Sequence, residues 1–449
     1  MKGDGVAVRE QVEHPEGAAT PSTLAIGCPS WHLRASPGPT FDSGAVVPAR
    51  EQTMDAGDAG DPRPRDVGDG LLTLGLVGTS RKPDERRVPL HPRHLERVDA
   101  DLRAHVVVER GYADRFGMSD DELAPWVGAI RSREQVMEEA DVVLLPKPQP
   151  ADLLELPHHG VLWGWPHCVQ DEQVTQIAID RRLTLIAFEA MNHWSADHGF
   201  QLHVFHKNNE IAGYASVLHA LEVAGLTGDY GRPLRGVVIG FGATARGAVT
   251  ALIAHGVHDV TVLTHRGVAA VNAPIHQARM LHLEHDASAP HLGHVVEEHG
   301  VTPLAPFLAQ HDMVVNCTLQ DPSDPLLFLR TADLPAFAPG SLVVDVSCDL
   351  GMGFEWARPT SFAEPTFVIG RHIHYYAVDH SPSYLWDSAS WEISEALLPF
   401  LRTVMQGAWS WEADETIRRA IEVRDGHVLN SAILSFQRRS AEHPHVPVP

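Results

Sequence analysis

The chain has 449 residues, 44% of them apolar, enough to bury more than one ordinary core, and no apolar run approaches the length of a membrane span. A formal net charge of −23, with 29 histidines counted as neutral, argues against nucleic acid as a partner and for a soluble cytoplasmic protein. Cys28, Cys168, Cys317 and Cys348 are widely spaced without a Cys-x-x-Cys pair, which points to a reducing compartment and to no structural zinc or other bound metal.

Residues 1–70 are rich in Gly, Pro, Ala, Ser and Asp without sustained periodicity, and the expectation is a disordered extension that does not look like a secretory signal. Folded structure is expected to begin at the strand-like run from Leu71 to Val77. Strands are predicted over 104–109, 141–145 and 183–188, with a helix over 132–140. A long helix is predicted from Asn208 or Asn209 to Val223, ended by Leu226-Thr227-Gly228. Further strands follow at 236–239, 260–263, 313–316 and 342–346. The helical pattern of 391–405 and the segment 413–424 must then find an apolar face to cover, and are expected to return to the first domain. The fold class read from this order is α/β, with two Rossmann-like domains and a cleft between them. Residues 71–205, completed by 385–441, form the expected substrate domain, and 206–384 the expected dinucleotide-binding domain.

The dinucleotide site is expected at Gly240-Phe241-Gly242-Ala243-Thr244-Ala245, a G-x-G-x-x-A turn between an apolar strand and a helix. Gly240 permits the tight turn, Gly242 lets the backbone approach the pyrophosphate, and Ala245 or Gly247 lets the helix lie close to the sheet. The helix N-terminus then offers N–H groups and a partial positive charge to phosphate, beside Ala243 and Thr244. At the end of the next strand an NAD site usually carries Asp or Glu, whereas Thr264-His265-Arg266 stand here. Thr264 as donor and Arg266 as a charged fork favour the 2′-phosphate of NADP(H), with NAD(H) left open. Asn316, ending one strand, is expected to line the ribose or nicotinamide. Cys317 and Cys348 read as packing residues rather than nucleophiles.

Glu85-Arg86-Arg87-Val88-Pro89-Leu90-His91-Pro92 resembles the R-x-x-L-x-P signature of the alanine dehydrogenase and lysine-forming saccharopine dehydrogenase superfamily. Leu145-Pro146-Lys147-Pro148 and Gly164-Trp165-Pro166-His167-Cys168 look like its segments bearing a catalytic lysine and histidine. Within that superfamily the blocks from Lys207 to Leu221 and from Tyr375 to Ser383 are similar to N5-(carboxyethyl)ornithine synthase. The resemblance implies reductive coupling of a 2-oxo acid to an amine through an imine. Alanine dehydrogenase or saccharopine dehydrogenase activity is the alternative, and a catalytically silent cofactor-binding protein the non-enzyme one.

On that reading, Arg87 clamps the oxo-acid carboxylate, His167 gives and takes the proton at neutral pH, and Lys147 polarises the carbonyl. Asp349 stands where the superfamily places an aspartate near nicotinamide and substrate. Cys168, Gln170, Asp171 and His206 depart from the ornithine-type pattern, at positions able to shape the pocket of the amine donor. The expected partners are a small 2-oxo acid and an amino acid such as ornithine or lysine, with no nucleic acid or membrane; assembly as a homo-oligomer is left open.

Overall fold

Alternate residues of the central strands enter different cores, so each sheet is covered on both faces. Leu74, Leu76, Val106, Val108, Val142 and Leu144 belong to one buried cluster, and Val107, Val143 and Leu145 to another. The same alternation divides Val238, Val262, Val315 and Val344 from Val237, Leu263, Val314 and Val343. A period of two with both faces apolar is what a parallel sheet clothed in helices requires. The computed structural model describes residues 70–265, 277–286, 289–320 and 325–448. The expected N-terminal extension and the assignment of Arg266 therefore lie outside the described residues.

Among these residues two large sheets form. The first runs, in spatial order, His427–Val428, Ile421–Arg424, Thr184–Ala187, Val161–Gly164, Val142–Leu144, Leu74–Leu76, Val106–Glu109 and Ala129–Arg131. Its strands are parallel except the two drawn from the C-terminal region. The second runs Gly300–Pro303, Ala289–Glu297, Arg279–Asp286, Asp259–Thr264, Arg235–Ile239, Met313–Asn316, Leu342–Asp345, Ile373–Tyr376 and Thr366–Ile369. This is a mixed α/β architecture with parallel, Rossmann-like sheets.

The predicted helix after residue 132 is Arg133–Glu139, started by a capping box in which Ser132 and Gln135 satisfy each other's backbone N–H groups. Residues 391–405 are not one helix. Trp386–Leu397 and Leu401–Met405 are separated by a 3₁₀ turn at Leu398–Phe400, where Pro399 removes a donor and crowds the preceding turn. Residues 413–424 end as the strand Ile421–Arg424, which lies antiparallel to Thr184–Ala187 and covers that edge of the first sheet.

The long helix is His206–Ala224, closed by Gly225 at φ +66°. It packs backbone to backbone on the helix Ala243–Ala254. A Cβ at Gly213 would stand 1.9 Å from the Thr244 carbonyl oxygen, and one at Gly247 1.7 Å from that of Glu210. Gly247 therefore admits a neighbouring helix rather than the sheet, which corrects the reading from the motif. Ala245 is fully buried in the same core cluster as Val238 and Val315.

Candidate active site

The carboxyl ends of the two sheets border one cavity of about 860 Å³. Leu74–Leu76 lies between Val106–Glu109 and Val142–Leu144, and Arg235–Ile239 between Asp259–Thr264 and Met313–Asn316. In both sheets the loops part at that point to leave a crevice, the usual ligand position in open α/β sheets. One wall carries Lys82, Arg87, Lys147, Trp165 and His167; the other carries Thr244, Cys317, Cys348, Asp349 and Asp379.

Lys147 and His167 come together because the ladder between their strands continues past the strand ends. Leu145 N–H donates to the Trp163 carbonyl at 3.1 Å, and Trp165 N–H to the Pro146 carbonyl at 2.9 Å. The approach is close enough that a Cβ at Gly164 would fall 2.0 Å from the Leu145 oxygen, so only glycine fits there. Lys147 Nζ then lies 3.0 Å from His167 Nε2. Burial pushes the Lys147 amine below its ordinary value, with Asp379 opposing. His167 is driven well below its own, first by desolvation within the cleft and then by the charge of Lys147. Although 42% of its side chain remains exposed to the cleft, both effects have the same sign, so the ring is neutral and Nε2 accepts a hydrogen bond from Lys147. The expectation that His167 titrates near neutrality on its own is corrected.

His167 adopts φ +49°, an unfavourable region for a non-glycine residue, and its N–H donates to Glu189 Oε1 at 2.7 Å. Glu189 was not apparent from the sequence, since it lies 22 residues from His167 in the 3₁₀ turn Phe188–Ala190 that follows a strand. Burial first, and then the neighbouring Glu422 carboxylate, push its carboxyl up to about 8.

Arg87 is 4% exposed, and its fork faces Glu85 rather than solvent. Nε and Nη2 donate to the two Glu85 oxygens at 2.9 and 2.6 Å, and Nη1 to Asn208 Oδ1 at 3.3 Å. The guanidinium lies over the Trp165 ring, 5.2 Å from its centroid. Burial alone would raise the Glu85 carboxyl, but the charge and hydrogen bonds of Arg87 outweigh it and hold the group below the ordinary range. One edge of the guanidinium is thus already taken, and only the Nη1 side is left to meet a ligand in the cleft.

Across the cleft, Gly240 adopts φ +111°, the turn conformation that requires glycine, and a Cβ there would stand 3.0 Å from the Cys317 oxygen. Gly242 precedes the helix Ala243–Ala254, whose start has no side-chain cap, and among the described residues no atom lies within 4 Å of a Cβ built at Gly242. The first-turn N–H groups thus face space that a pyrophosphate fits. Two sequence assignments are corrected here. Asn316 is fully buried, its amide donating to Asp345 Oδ1 at 2.9 Å, so it braces the loop instead of lining the cavity. Thr264 is 3% exposed at its strand end and is not presented to a ligand.

Asp345 was missed although it ends a predicted strand, because its partners come from elsewhere. It accepts from Asn316, from the Tyr375 hydroxyl at 2.6 Å, and from Cys348 N–H at 3.2 Å, and burial pushes it up to about 6. These bonds hold Cys348 at φ +49° and bring Asp349 into the cavity lining, where burial raises the Asp349 carboxyl against the pull of Lys147. Of the departures noted after His167, Gln170 and Asp171 line the cavity, Asp171 also capping the helix Glu172–Asp180, and Cys168 is buried behind them.

The model of the alanine dehydrogenase/PNT N-terminal domain matches residues 77–212, and that of the C-terminal domain residues 224–431. The chain belongs to the alanine dehydrogenase/PNT family. It is an NAD(P)-dependent oxidoreductase acting on CH–NH bonds. As a member of this family it is similar to the alanine dehydrogenase of Halomonas elongata, 26% identical over 78% of this chain and 93% of that protein. It is likewise similar to the N(5)-(carboxyethyl)ornithine synthase of Lactococcus lactis subsp. lactis, 23% identical over 73% of this chain and 93% of that one. An L-alanine dehydrogenase structure superposes with a TM-score of 0.64 at 18% identity, covering 81% of this chain and 99% of the other, which shows the shared fold. No helix among the described residues is long and apolar enough to cross a membrane.

Proposed function

We propose that this family member is a cytoplasmic enzyme that couples a small 2-oxo acid to the amino group of an amino acid such as ornithine or lysine, reducing the intermediate imine with NADPH. The observation that carries the reading is the Lys147–His167 pair, 3.0 Å apart in a cleft that also holds Asp349 and the Gly240–Gly242 turn. The division into a catalytic half, 71–205 with 385–441, and a nucleotide half, 206–384, is part of this proposal.

The amine lone pair adds to the carbonyl carbon while the carbonyl π pair moves to oxygen, which takes a proton from Lys147 through His167. The nitrogen then returns a proton to Lys147 through His167, the same pair delivers it to the hydroxyl, and that oxygen leaves as water while the nitrogen lone pair closes the C=N bond of an iminium. When bound, the reduced dinucleotide supplies the hydride that reduces that carbon. Lys147, with its amine lowered by burial, is the proton store, and neutral His167 is the group that relays the proton. The Nη1 side of Arg87 holds the oxo-acid carboxylate. When bound, the pyrophosphate would be held by Gly240, Gly242, Ala243 and Thr244, with Asp349 toward the nicotinamide, while Ala245 is buried and seats the helix.

Preference for NADPH over NADH rests on the sequence Thr264-His265-Arg266, where no carboxylate stands to repel a 2′-phosphate. The test is to mix enzyme and NADPH or NADH with pyruvate, 2-oxoglutarate or glyoxylate, each with ornithine, lysine or ammonia, and to follow loss of the reduced nicotinamide. The expected outcome is oxidation only when oxo acid and amino acid are both present, faster with NADPH. Oxidation with pyruvate and ammonia alone identifies an alanine dehydrogenase instead, the reading favoured by the similarity to the Halomonas elongata protein.

A further inference from the structure

The cleft has a charge pattern that the coupling reaction does not yet use. Its first wall is cationic, with Lys82, Lys147 and the Glu85-neutralised Arg87, while its second presents Asp349 and Asp379. Lys82 reaches across to the second wall, its Nζ 2.7 Å from Asp379 Oδ2. The other Asp379 oxygen lies 2.7 Å from His380 Nδ1, and His380 Nε2 lies 3.0 Å from the Pro83 carbonyl oxygen. A carboxylate offers about four lone-pair positions, so Asp379, 21% exposed to the cleft, retains acceptor capacity beyond these two contacts. Burial would raise its carboxyl, but His380, Lys147 and Lys82 hold it far below the ordinary range, whereas burial pushes the Asp349 carboxyl up.

During coupling the nitrogen changes from neutral to positive, first on addition and again in the iminium. Beside Lys147 that charge is opposed unless an anion stands near. We propose, resting on the coupling reading, that Asp379 is the anion that meets the amine nitrogen as it becomes cationic. Lys82 is the internal cation that occupies this place until the donor arrives and then turns to the oxo-acid carboxylate. Asp379 is on this view a catalytic residue that selects for an amine, and Lys82 a substrate-binding one.

The experiment measures KM for amine and for oxo acid separately in Asp379→Asn, Asp379→Glu and Lys82→Met, together with amine binding to the NADPH complex by isothermal titration calorimetry. Asp379→Asn raises the amine KM by about 10- to 100-fold and leaves that of the oxo acid within about threefold, while Asp379→Glu recovers part of the loss. Lys82→Met gives the opposite pattern, a higher oxo-acid KM and an amine KM lower than that of the wild type. A misfolded variant cannot produce that crossed pattern, so Lys82→Met decides the matter even if Asp379→Asn fails to fold. An active wild type whose variants show equal changes in both KM values, with a lowered melting temperature, makes the pair a structural latch and overturns the proposal. A wild type that oxidises NADPH with no pair of oxo acid and amine overturns the coupling reading itself, a distinct result.

Discussion

The two walls of the cleft place their working residue by the same device and differ in where the parts come from. His167 and Cys348 both sit at φ +49°, and each offers its N–H to a carboxyl group, that of half-buried Glu189 in one wall and of buried Asp345 in the other. Asp345 is three residues from Cys348 and is braced by its own sheet. Glu189 is 22 residues from His167, and the Glu422 that perturbs it belongs to the C-terminal strand. In one wall the carboxyl comes from the same loop as the N–H it holds, while in the other it comes from a separate segment; both carboxyls draw further partners from other strands. A strained conformation held by a carboxyl group marks both.

The largest effect is expected where the assembled wall does its chemistry. His167→Gln lowers turnover by about 10² to 10⁴, the usual range for a positioned acid–base group, and leaves NADPH affinity nearly unchanged in a fluorescence titration. A variant that keeps most of its turnover at saturating substrate moves the proton transfer to Lys147 alone. Next comes Arg87→Ala, which strands Glu85 as a buried unpaired charge and costs about 3–5 kcal/mol of stability in denaturant unfolding, as well as raising the oxo-acid KM. The double variant Glu85→Gln with Arg87→Leu regains part of that stability but not the KM. If the two changes are simply additive, the fork of Arg87 is not engaged by Glu85 in solution.

Gly164→Ala tests how tightly the assembled wall is built. A Cβ 2.0 Å from the Leu145 oxygen must push the two loops apart, and a displacement of about 1 Å costs about 10² in turnover. A variant with normal turnover and the Lys147–His167 contact intact refutes the argument from the ladder. The smallest effect concerns Glu189. Its folded-state pKa is raised from 4.5 to about 8, so the folded protein holds that proton more tightly than the unfolded chain. The stability it contributes is therefore fully present below about 4.5 and is lost as pH rises through about 8. Relative to Glu189→Gln, the wild type should lose a few degrees of melting temperature across that window, measured by thermal unfolding at stepped pH. A constant difference across the window shows that the carboxyl is not perturbed.

Much of the nucleotide-side wall was legible because its determinants are contiguous. A turn at φ +111° demands Gly240, and the strand and helix on either side follow from a dozen neighbouring residues. His167 and Lys147 were found through short motifs, but their relation was not, since the 3.0 Å contact depends on a ladder between two strands and on Gly164. Asn316 misled because a polar residue at a strand end can face a ligand or a buried partner, and here the partner is Asp345 from the adjacent strand. Thr264 misled for a similar reason: it is paired with His282 of the adjacent strand and buried.

By itself the sequence determined the alternation of strands and helices, the two-faced burial of the sheets, the glycine turn and the presence of a lysine and a histidine after apolar strands. These follow from local backbone preference and from the period of apolar residues, which act over a few neighbours. Only the tertiary structure decided the charge state of the site. It put Arg87 on Glu85, lowered Lys147 and His167 together, set Glu189 beside Glu422, and paired Lys82 with Asp379. Each of these depends on the distance and burial between groups from separate segments, and a Coulomb interaction in a low-dielectric cleft has no counterpart in the order of residues along the chain.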